Sequence, residues 1–342
     1  MQALVLAGGE GTRLRPLTST VPKPVLPLAG RPFLAYMLDW LGRHGVDDVI
    51  LSCGFLADGV ERVLGDRHGG VSLRYVSEPA PLGTAGPVRL AADEGLLDER
   101  FVVCNGDIFT DLDLTAELDR HASTGAIATL ALVAVEDTSE YGVVPTGPDG
   151  EVEAFLEKSA ESAPTDRVNA GVYVLEHEVM DRIEPGRPTS FEREVFPALT
   201  GSGLLGFDAT GYWVDIGTPQ RYLEATWDLL AGVITSDLPP RDESGSLIGA
   251  GCITSGARIG PQAVLGAHCS VGPGARIERA VLHDRVVVGA DCRLHECIVG
   301  AGSRIGEAAR IDPGAVVGGG VVVEPGTVLE AGARVAPGER IV

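Results

Sequence analysis

Lysine occurs only twice in this chain, at Lys23 and Lys158, although the chain carries 27 lysines and arginines in total. Lysine places a compact charge on a flexible stem, whereas arginine presents a planar fork, so the two are not interchangeable beside a phosphoryl group. Both lysines lie in segments with further phosphate-binding features. We therefore predict that both were kept for function, with chance survival in an arginine-rich composition as the alternative.

The first lysine follows a glycine-rich segment near the amino terminus. An apolar run at residues 3–7 predicts a buried parallel strand, and glycines follow it where backbone N–H groups can approach a phosphate. These are Gly8, Gly9 and Gly11. Arg13 and Lys23 bring positive charge to the same segment. A Walker P-loop is excluded because no Gly-Lys-Ser/Thr follows, and a dinucleotide fingerprint is weakened because Leu14 replaces its third glycine.

The whole string from Leu4 to Pro24 resembles the signature of the sugar-1-phosphate nucleotidyltransferases, also called nucleotide-sugar pyrophosphorylases. Further segments resemble that family in the same order, so that the resemblance covers about 230 residues. They are Ser77–Pro87, Cys104–Asp107, Glu157–Lys158 with Asn169–Tyr173, and Tyr212–Pro219. In one departure, Ser159 follows Lys158 where the family commonly has proline, which loosens the backbone beside the lysine and leaves the identity of the sugar open.

The resemblance implies a role for each matching residue. The nucleotide would be bound by Leu6, Ala7, Gly8, Gly9, Gly11, Thr12, Arg13, Lys23, Glu78, Gly83 and Thr84. The sugar phosphate would be bound by Gly142, Glu157, Lys158 and Asn169. Glu78 and Gly83 would meet the edge of the base, and Asp107 and Asp215 would hold Mg²⁺. Catalysis would depend on Arg13, Lys23, Asp107 and Lys158.

The implied reaction explains why these residue types occur together. A sugar phosphate attacks the α-phosphorus of a nucleoside triphosphate and pyrophosphate leaves, so the protein must position polyanions and neutralise their charge. Mg²⁺ prefers oxygen ligands and is often bound by one or two carboxylates plus substrate phosphates. Asp107 follows an apolar run, at the carboxyl end of a predicted strand where open α/β sheets bind ligands. Taken singly, either aspartate is an ordinary solvated loop carboxylate.

The identities of the nucleotide and the sugar are predicted from the sequence of one loop. Residues 82–87 resemble the loop of the mannose-1-phosphate guanylyltransferases more than the adenylyl or thymidylyl loops, which implies GTP and mannose 1-phosphate or a related sugar-like phosphate. The alternative is a glucose-1-phosphate adenylyl- or thymidylyltransferase.

Composition limits the partners and the location. The formal net charge of −21 argues against binding to nucleic acid or anionic membranes, because both attract basic surfaces. The amino terminus has no basic n-region, and no apolar run approaches the roughly 20 residues that span a bilayer, which predicts a cytoplasmic protein. The six cysteines include no Cys-x-x-Cys pair, so we expect reduced, buried thiols and neither disulfides nor zinc.

The fold is predicted to be α/β over residues 1–236. Apolar runs alternate with helical patterns, which is typical of βαβ units around a Rossmann-like, mainly parallel sheet. Helices are predicted at 32–44, 55–64, 85–97, 114–122 and 220–231, and strands at 3–7, 48–53, 73–76, 101–104 and 127–135. The aromatic side chains of the last helix, Tyr222 and Trp227, are expected to pack within the protein.

A second domain is predicted at residues 247–342, after a linker at 237–246. An aliphatic residue recurs there every six positions, with two five-residue steps, and such hexads predict a parallel β-helix whose aliphatic side chains point inward. The positions are Leu247, Ile253, Ile259, Leu265, Val271, Ile277, Leu282, Val288, Leu294, Val299, Ile305, Ile311, Val317, Val323, Leu329, Val335 and Ile341. Resemblance to hexapeptide-repeat proteins implies a left-handed helix with three faces. Its exposed end and flat faces predict a homo-oligomer.

Two functions of other classes remain as alternatives. Left-handed β-helices also build acyltransferases that use a histidine, and His268, His283 and His295 are available, although no acceptor motif accompanies them. A noncatalytic regulatory paralogue is the second alternative, and it is weakened because the five implied catalytic and metal-binding residues are all present.

Overall fold

The computed structural model describes residues 1–156, 164–236, 238 and 241–342, and the chain divides into two compact units. Unit 1 comprises Met1–Gly9 and Met37–Trp213, and unit 2 comprises Glu10–Tyr36 and Val214–Val342. Every helix within the described residues is too short or too polar to cross a membrane. The proposed domain boundaries at residues 236 and 247 stay predictions.

Unit 1 is built on one eight-stranded sheet. In spatial order its strands are Leu204–Asp208, Ala128–Ala134, Arg167–Glu176, Arg100–Asn105, Gln2–Leu6, Asp48–Cys53, Val71–Ser77 and Arg67–His68. Most pairings are parallel, which confirms the predicted class. The exceptions are Arg167–Glu176, which is antiparallel to both neighbours, and the edge strand Arg67–His68.

The centre of this sheet follows from the apolar run at the amino terminus. Strand Gln2–Leu6 lies between Asp48–Cys53 and Arg100–Asn105, parallel to both, and Leu4 is fully buried. A strand that is covered on both faces has a continuous apolar sequence. The bounds of this strand were therefore predicted to within one residue. The glycine-rich segment and Asp107 therefore follow neighbouring parallel strands at the same edge of the sheet.

Among the described residues, five helices confirm the predicted positions to within a few residues at each end, and a sixth, Phe196–Leu199, was not predicted. They are Phe33–Arg43, Ala57–Leu64, Gly86–Asp93, Leu114–Thr124, Phe196–Leu199 and Pro219–Ala231. Short 3₁₀ turns occupy Thr12–Leu14, Leu17–Ser19, Lys23–Val25 and His177–Arg182, and a π turn occupies Phe191–Val195. The helix predicted to reach residue 97 ends at Asp93, because Gly95 adopts a left-handed conformation and the Leu96 N–H bonds back to the carbonyl of Ala91.

Three strands of the sheet were not predicted, namely Arg167–Glu176, Leu204–Asp208 and the edge strand Arg67–His68. The first was interpreted only as a binding motif, because Asn169 and Gly171 interrupt its apolar pattern. Small two-stranded pairings complete the described strands outside the β-helix, and these strands are Pro27–Leu28, Arg31–Pro32, Ile108–Thr110 and Trp213–Asp215.

The carboxyl-terminal part of unit 2 is a left-handed parallel β-helix with three parallel sheets. The first sheet contains Leu247–Ile248, Val264–Leu265, Val281–Leu282, Ile298–Val299, Val316–Val317 and Arg334–Val335. The second contains Arg258–Ile259, Arg276–Glu278, Arg293–His295, Arg310–Ile311 and Val328–Leu329. The third contains Ser270–Val271, Val287–Val288, Arg304–Ile305, Val322–Val323 and Arg340–Ile341.

The hexad positions form the interior of this β-helix, with one error. Residues such as Ile277, Leu282 and Val299 are fully buried. Ile253, in contrast, is 64% exposed, because it pairs with Ser270 and not with the inward-facing Val271. A slip of one residue turns a strand side chain to the opposite face, so the prediction of an inward Ile253 was wrong.

One face of the β-helix is also covered on its outside. Val264, Val281 and Ile298 precede inward positions in the first sheet and are nevertheless buried. Within unit 2, helix Pro219–Ala231 makes polar and aromatic contacts to two other residues of the β-helix. Its Tyr222 hydroxyl lies 3.2 Å from His283 Nε2, and the Arg279 guanidinium stacks 3.6 Å from the Trp227 ring centroid. The prediction that these two aromatic side chains pack within the protein is confirmed.

Candidate active site

The unit 1 part of the candidate site begins where Gly8 meets Glu78. A Cβ atom at Gly8 would lie 2.4 Å from Glu78 Oε1, so a larger residue there would displace this carboxylate. The Ser52 hydroxyl donates to Oε1 at 3.0 Å, and the Leu82 N–H donates to Oε2 at 3.3 Å. The structure thus holds the carboxylate predicted to meet the base directly against the glycine-rich segment. Beside it, Gly9 has no other heavy atom within 4 Å of a Cβ position and lies open.

The predicted base-recognition loop is anchored to a distant part of the chain. Gly83 has a φ of +78°, and a Cβ there would lie 2.4 Å from the Thr189 carbonyl oxygen. Thr189 also donates its N–H to the Leu82 carbonyl and accepts from the Ala85 N–H, both at 2.9 Å. Backbone hydrogen bonds therefore fix the loop, and Gly83 is required by both space and conformation.

Asp107 is placed by a second close approach of backbone. The Gly106 N–H donates to the Leu6 carbonyl at 2.9 Å, and a Cβ at Gly106 would lie 2.5 Å from the same oxygen. The half-buried Asp107 follows directly. Leu6 ends the central strand, and the Ala7 N–H donates to Ser52 at 2.8 Å. The structure therefore brings the Asp107 turn to the carbonyl end of the central strand.

The predicted sugar-binding residues Asn169 and Gly142 also come together in unit 1. The Asn169 N–H donates to the Gly142 carbonyl at 3.4 Å. The Asn169 side chain accepts from the Gly171 N–H and donates to the Tyr173 hydroxyl, both at 2.9 Å. These contacts lock its orientation. Glu157 and Lys158, the other two residues of this set, lie outside the described residues.

Glu192, which was not predicted from the sequence, connects the predicted base-recognition loop with the strand that carries Asn169. Glu192 accepts hydrogen bonds from the hydroxyl groups of Thr84 at 2.8 Å and Tyr173 at 3.4 Å. Thr84 was predicted to bind nucleotide, and its hydroxyl is occupied within the protein. Burial, and then the Glu192 charge, raise the pKa of Tyr173 well above its usual range, so its hydroxyl stays protonated. Glu192 lies 108 residues from Thr84, and no local pattern marks it.

In unit 2, the segment after the glycine-rich loop folds around Lys23. Gly11 has a φ of +61°, and its carbonyl accepts from the Thr18 hydroxyl at 2.8 Å. A Cβ at Gly11 would lie 3.2 Å from Lys23 Cβ, so the lysine stem packs on this glycine. Thr12 begins the 3₁₀ turn that carries Arg13.

The remaining predicted residues of unit 2 form a charged cluster. A Cβ at Gly217 would lie 2.8 Å from Arg13 Nη2 and 3.0 Å from Asp215 Oδ2, which places the guanidinium and carboxylate on the same side of this glycine. Asp215 also forms an ion pair with Arg221, and both side chains are largely buried. The predicted Arg13 and Asp215 are thus neighbours. Arg221 was not predicted because it lies within a helix that was interpreted only as packing.

Comparison with known proteins gives the family. Residues 2–232 match the Nucleotidyl transferase family, and residues 248–341 match the GMPPB C-terminal domain. The chain belongs to the nucleotidyl transferase family. It is similar to the mannose-1-phosphate guanylyltransferase of Mycobacterium tuberculosis, with 42% identity over 85% of this chain and 82% of the relative. It is also similar to mannose-1-phosphate guanylyltransferase 1 of Arabidopsis thaliana, with 35% identity over 91% and 89% of the two chains.

The fold also resembles solved structures. HddC from Yersinia pseudotuberculosis is 29% identical, covers 67% of this chain and 99% of its own, and superposes with a TM-score of 0.58. A second structure of HddC, complexed with GMP-PN, gives the same values.

The cysteines of this nucleotidyl transferase are buried thiols, as predicted, except for the half-buried Cys252. Burial raises the pKa of Cys53 to about 12, so this thiol close to Glu78 stays protonated at neutral pH. A protonated thiol is a poor nucleophile. Among the residues that the structure describes, no group of three or more His, Cys, Asp or Glu side chains is arranged to hold a metal ion.

Two glycines that are predicted to bind the nucleotide, Gly83 and Gly9, are expected to respond differently to substitution. Gly83→Ala places a Cβ against the Thr189 carbonyl and forces a left-handed alanine, so it should cost about 2 kcal/mol or more of stability. Gly9→Ala meets no atom and should change stability by less than about 0.5 kcal/mol. Thermal unfolding followed by circular dichroism measures both, and equal losses would contradict the assigned difference.

Proposed function

We propose that this chain is a sugar-1-phosphate guanylyltransferase that converts GTP and mannose 1-phosphate, or a closely related sugar phosphate, to a GDP-sugar and pyrophosphate. The observation that carries the proposal is its 42% identity, over most of both chains, to a relative named mannose-1-phosphate guanylyltransferase. The resemblance of residues 82–87 to the guanylyl loop supports the same base.

The proposed reaction is a single displacement at phosphorus. A phosphate oxygen of the sugar 1-phosphate forms a bond to the α-phosphorus of GTP, and the bond from that phosphorus to the bridging oxygen breaks to release pyrophosphate. No residue of the protein becomes covalently attached. We assign Lys23 and Arg13 to the triphosphate and the leaving pyrophosphate, and Lys158 to the incoming sugar phosphate. These cations lower the repulsion between two polyanions and stabilise negative charge as it develops.

The unit 1 contacts support the proposed division between base and sugar recognition. The Glu78 carboxylate can accept from the N–H groups on the Watson–Crick edge of guanine, and its existing bonds to Ser52 and Leu82 set its orientation. Asn169 and the Gly142 backbone lie together and can contact sugar hydroxyls. Recognition through prearranged polar groups favours the correct substrate, because a wrong one leaves buried groups unpaired.

Asp107 and Asp215 are the proposed ligands of a divalent cation, which we take to be Mg²⁺. Both provide the carboxylate oxygens that this cation prefers, and the ion pair of Asp215 with Arg221 orients that carboxylate. When bound, Mg²⁺ would neutralise phosphate charge and act as a Lewis acid. The chain's own residues then need only hold the two carboxylates and the substrates in place.

The other candidate functions fit the described residues less well. Of the three histidines considered for acyl transfer, His283 is buried against Tyr222, and burial lowers its pKa to about 4. A histidine that is such a weak base, and that substrate cannot reach, does not suit the role of general base in acyl transfer. A noncatalytic paralogue would bind the same ligands without turnover. The net charge of −21 supports action on small anions and not on nucleic acid, and we propose a cytoplasmic location.

The substrate pair can be tested by pyrophosphate release from each common nucleoside triphosphate with mannose, glucose, heptose and pseudo-sugar phosphates. GTP should be preferred by at least about tenfold, since this needs only ~1.4 kcal/mol, within reach of one well-placed pair of hydrogen bonds. Equal or better turnover with ATP or dTTP would contradict the guanylyl assignment. Ligand binding with no turnover would favour the regulatory alternative.

The metal ligands can be tested with Asp107→Asn and Asp215→Asn. Each should lower kcat about 100-fold or more and weaken the dependence on Mg²⁺, because loss of a ligand charge removes stabilisation of the transition state. Asp137→Asn is a matched control at an exposed loop carboxylate that bonds Ser139. Folding is checked by circular dichroism. Either variant retaining near wild-type activity at limiting Mg²⁺ would remove that residue from the ligand set.

We also propose that the protein forms a homo-oligomer through the second sheet of its β-helix. Exposed arginines stand opposite one another on successive strands of this sheet, as Arg258, Arg276, Arg293 and Arg310. Like charges in this position are destabilising. The side chains of three of them, Arg258, Arg276 and Arg293, make no hydrogen bond or ion pair with any other residue in the described ranges, although their backbone N–H groups pair with the next coil.

A second column on the same sheet is mostly acidic. It contains Glu278, His295 and Asp312, each two positions after a member of the first column, and Glu330, two positions after Val328 on the next strand. A two-fold axis parallel to the stacking direction would place the arginine column of one copy against this column of another, with matching spacing between coils. Such a face is complementary to itself.

Arg276→Glu tests this surface, and Arg304→Glu, an exposed arginine of the third sheet, is the matched control. Arg276→Glu should shift the protein toward monomer in size-exclusion chromatography with light scattering, whereas Arg304→Glu should not. High salt should weaken association of the wild type, because exposed charges are screened. A monomeric wild type, or an equal effect of both variants, would contradict the assigned face.

A further inference from the structure

A buried carboxyl group with no assigned role lies in unit 1. Glu117, on helix Leu114–Thr124, is 2% exposed, and its Oε1 has no hydrogen-bond partner among the described residues. The backbone N–H of Ala131 donates a hydrogen bond to its carboxyl. Burial raises the pKa of Glu117 well above the usual carboxyl range, an effect that the Ala131 hydrogen bond only partly opposes. A buried polar group of this kind is costly, and so calls for a reason.

The reason lies in an irregularity of the sheet. Strand Arg167–Glu176 pairs Asn169 with Leu132 and Tyr173 with Leu130, so three residues stand opposite Ala131 alone. This is a β-bulge, and a bulge disrupts the ladder of hydrogen bonds at that point. The Ala131 N–H is therefore bonded by a side chain, since an unpaired buried N–H would be destabilising.

The Glu117 carboxyl lies near this bulge because helix Leu114–Thr124 packs on the strand that carries Ala131. One helical turn along, His121 Nδ1 lies 2.8 Å from the hydroxyl of Thr129 on that strand. Ala131 lies on the strand that flanks one side of Arg167–Glu176, and Cys104 lies on the strand that flanks the other. Burial, and then the nearby Glu117 carboxyl, raise the pKa of the Cys104 thiol. Glu117 is thus close to both flanking strands, at the position where the strand between them departs from regular pairing.

The bulge carries the residues that we assign to sugar recognition. It begins at Asn169, whose side chain accepts from the Gly171 N–H. Gly171 has a φ of +73°, and a Cβ there would lie 2.6 Å from Asn105 Nδ2. The carbonyl of Ala170 accepts from Trp213 Nε1 at 2.8 Å. The bulge is therefore held from several sides, and any change in its backbone would move Asn169.

We propose that Glu117 is a positioning residue for sugar phosphate binding: its buried carboxyl accepts the Ala131 N–H opposite the bulge and so fixes the backbone that presents Asn169. This inference rests on the proposed function, because it assigns Asn169 to the sugar. Glu117 itself touches no substrate. Its role requires an acceptor at this place and not a negative charge.

The experiment compares Glu117→Gln, which keeps a carbonyl acceptor, with Glu117→Met, which is similar in size and has none. Glu117→Met should raise KM for mannose 1-phosphate about tenfold while KM for GTP changes less than about twofold, since loss of one buried hydrogen-bond partner is of this order. Glu117→Gln should stay within about twofold of the wild type for both substrates.

His121→Met is the matched control, because His121 is four residues further along the same helix and bonds Thr129 and Glu176 away from the bulge. It should lower thermal stability without a selective change in KM. The inference is overturned if Glu117→Met leaves KM for the sugar phosphate unchanged, if it raises both KM values alike, or if Glu117→Gln is impaired as strongly as Glu117→Met.

Amide hydrogen exchange provides a second measurement that needs no activity. The Ala131 amide should exchange slowly in the wild type and in Glu117→Gln, because both retain the acceptor. Rapid exchange in the folded wild type would overturn the inference. A wild type that turns over no sugar 1-phosphate would instead overturn the proposed function, and the exchange measurement would still decide the role of Glu117.

Discussion

The architecture of unit 1 depends on backbone segments that approach one another more closely than a side chain permits. Gly106 lies against the backbone carbonyl of Leu6 and Gly83 against that of Thr189, whereas Gly8 and Gly171 lie against the side chains of Glu78 and Asn105. In each case a Cβ atom would come within about 2.6 Å of its neighbour, a distance that close-packed interiors exclude. Glycine therefore allows strand ends to converge at the edge of the sheet where α/β proteins bind ligands.

Close convergence leaves polar groups that need partners, and side chains from distant parts of the chain provide them. Ser52 orients Glu78, Glu192 joins Thr84 to Tyr173, and Glu117 bonds the backbone of Ala131. Groups whose hydrogen bonds are already satisfied do not reorganise when substrate arrives. Such preorganisation suits a reaction between polyanions, in which catalysis is mainly positioning and electrostatic stabilisation.

The β-helix separates structural and surface roles along each short strand. Inward aliphatic side chains make a continuous core, whereas the outward positions differ between the three sheets. Valine and isoleucine are buried on one sheet, where Tyr222 and Trp227 of the same unit make contacts nearby. Arginines are exposed on another. The repeat fixes the core, and the outward residues decide what each face can bind.

The sequence by itself determined the features that depend on short-range patterns. Continuous apolar runs marked the buried parallel strands, glycines marked the loop before Lys23, and the hexad marked the β-helix, because each follows from local backbone geometry and side-chain periodicity. The resemblance of whole motifs then gave the expected site residues, and the family match agrees with it. Even so, periodicity failed at Ile253, where the register is set by the strand stacked on it.

Only the tertiary structure decided the features that depend on partners far apart in the chain. The antiparallel strand Arg167–Glu176 is a central strand because it fits between two others, although Asn169 and Gly171 break its apolar pattern. Glu192 and Glu117 have roles only through Thr84 and Ala131, and nothing in their local sequence marks them. The reason is physical: a hydrogen bond is defined by two groups in space, and the sequence shows only one of them at a time.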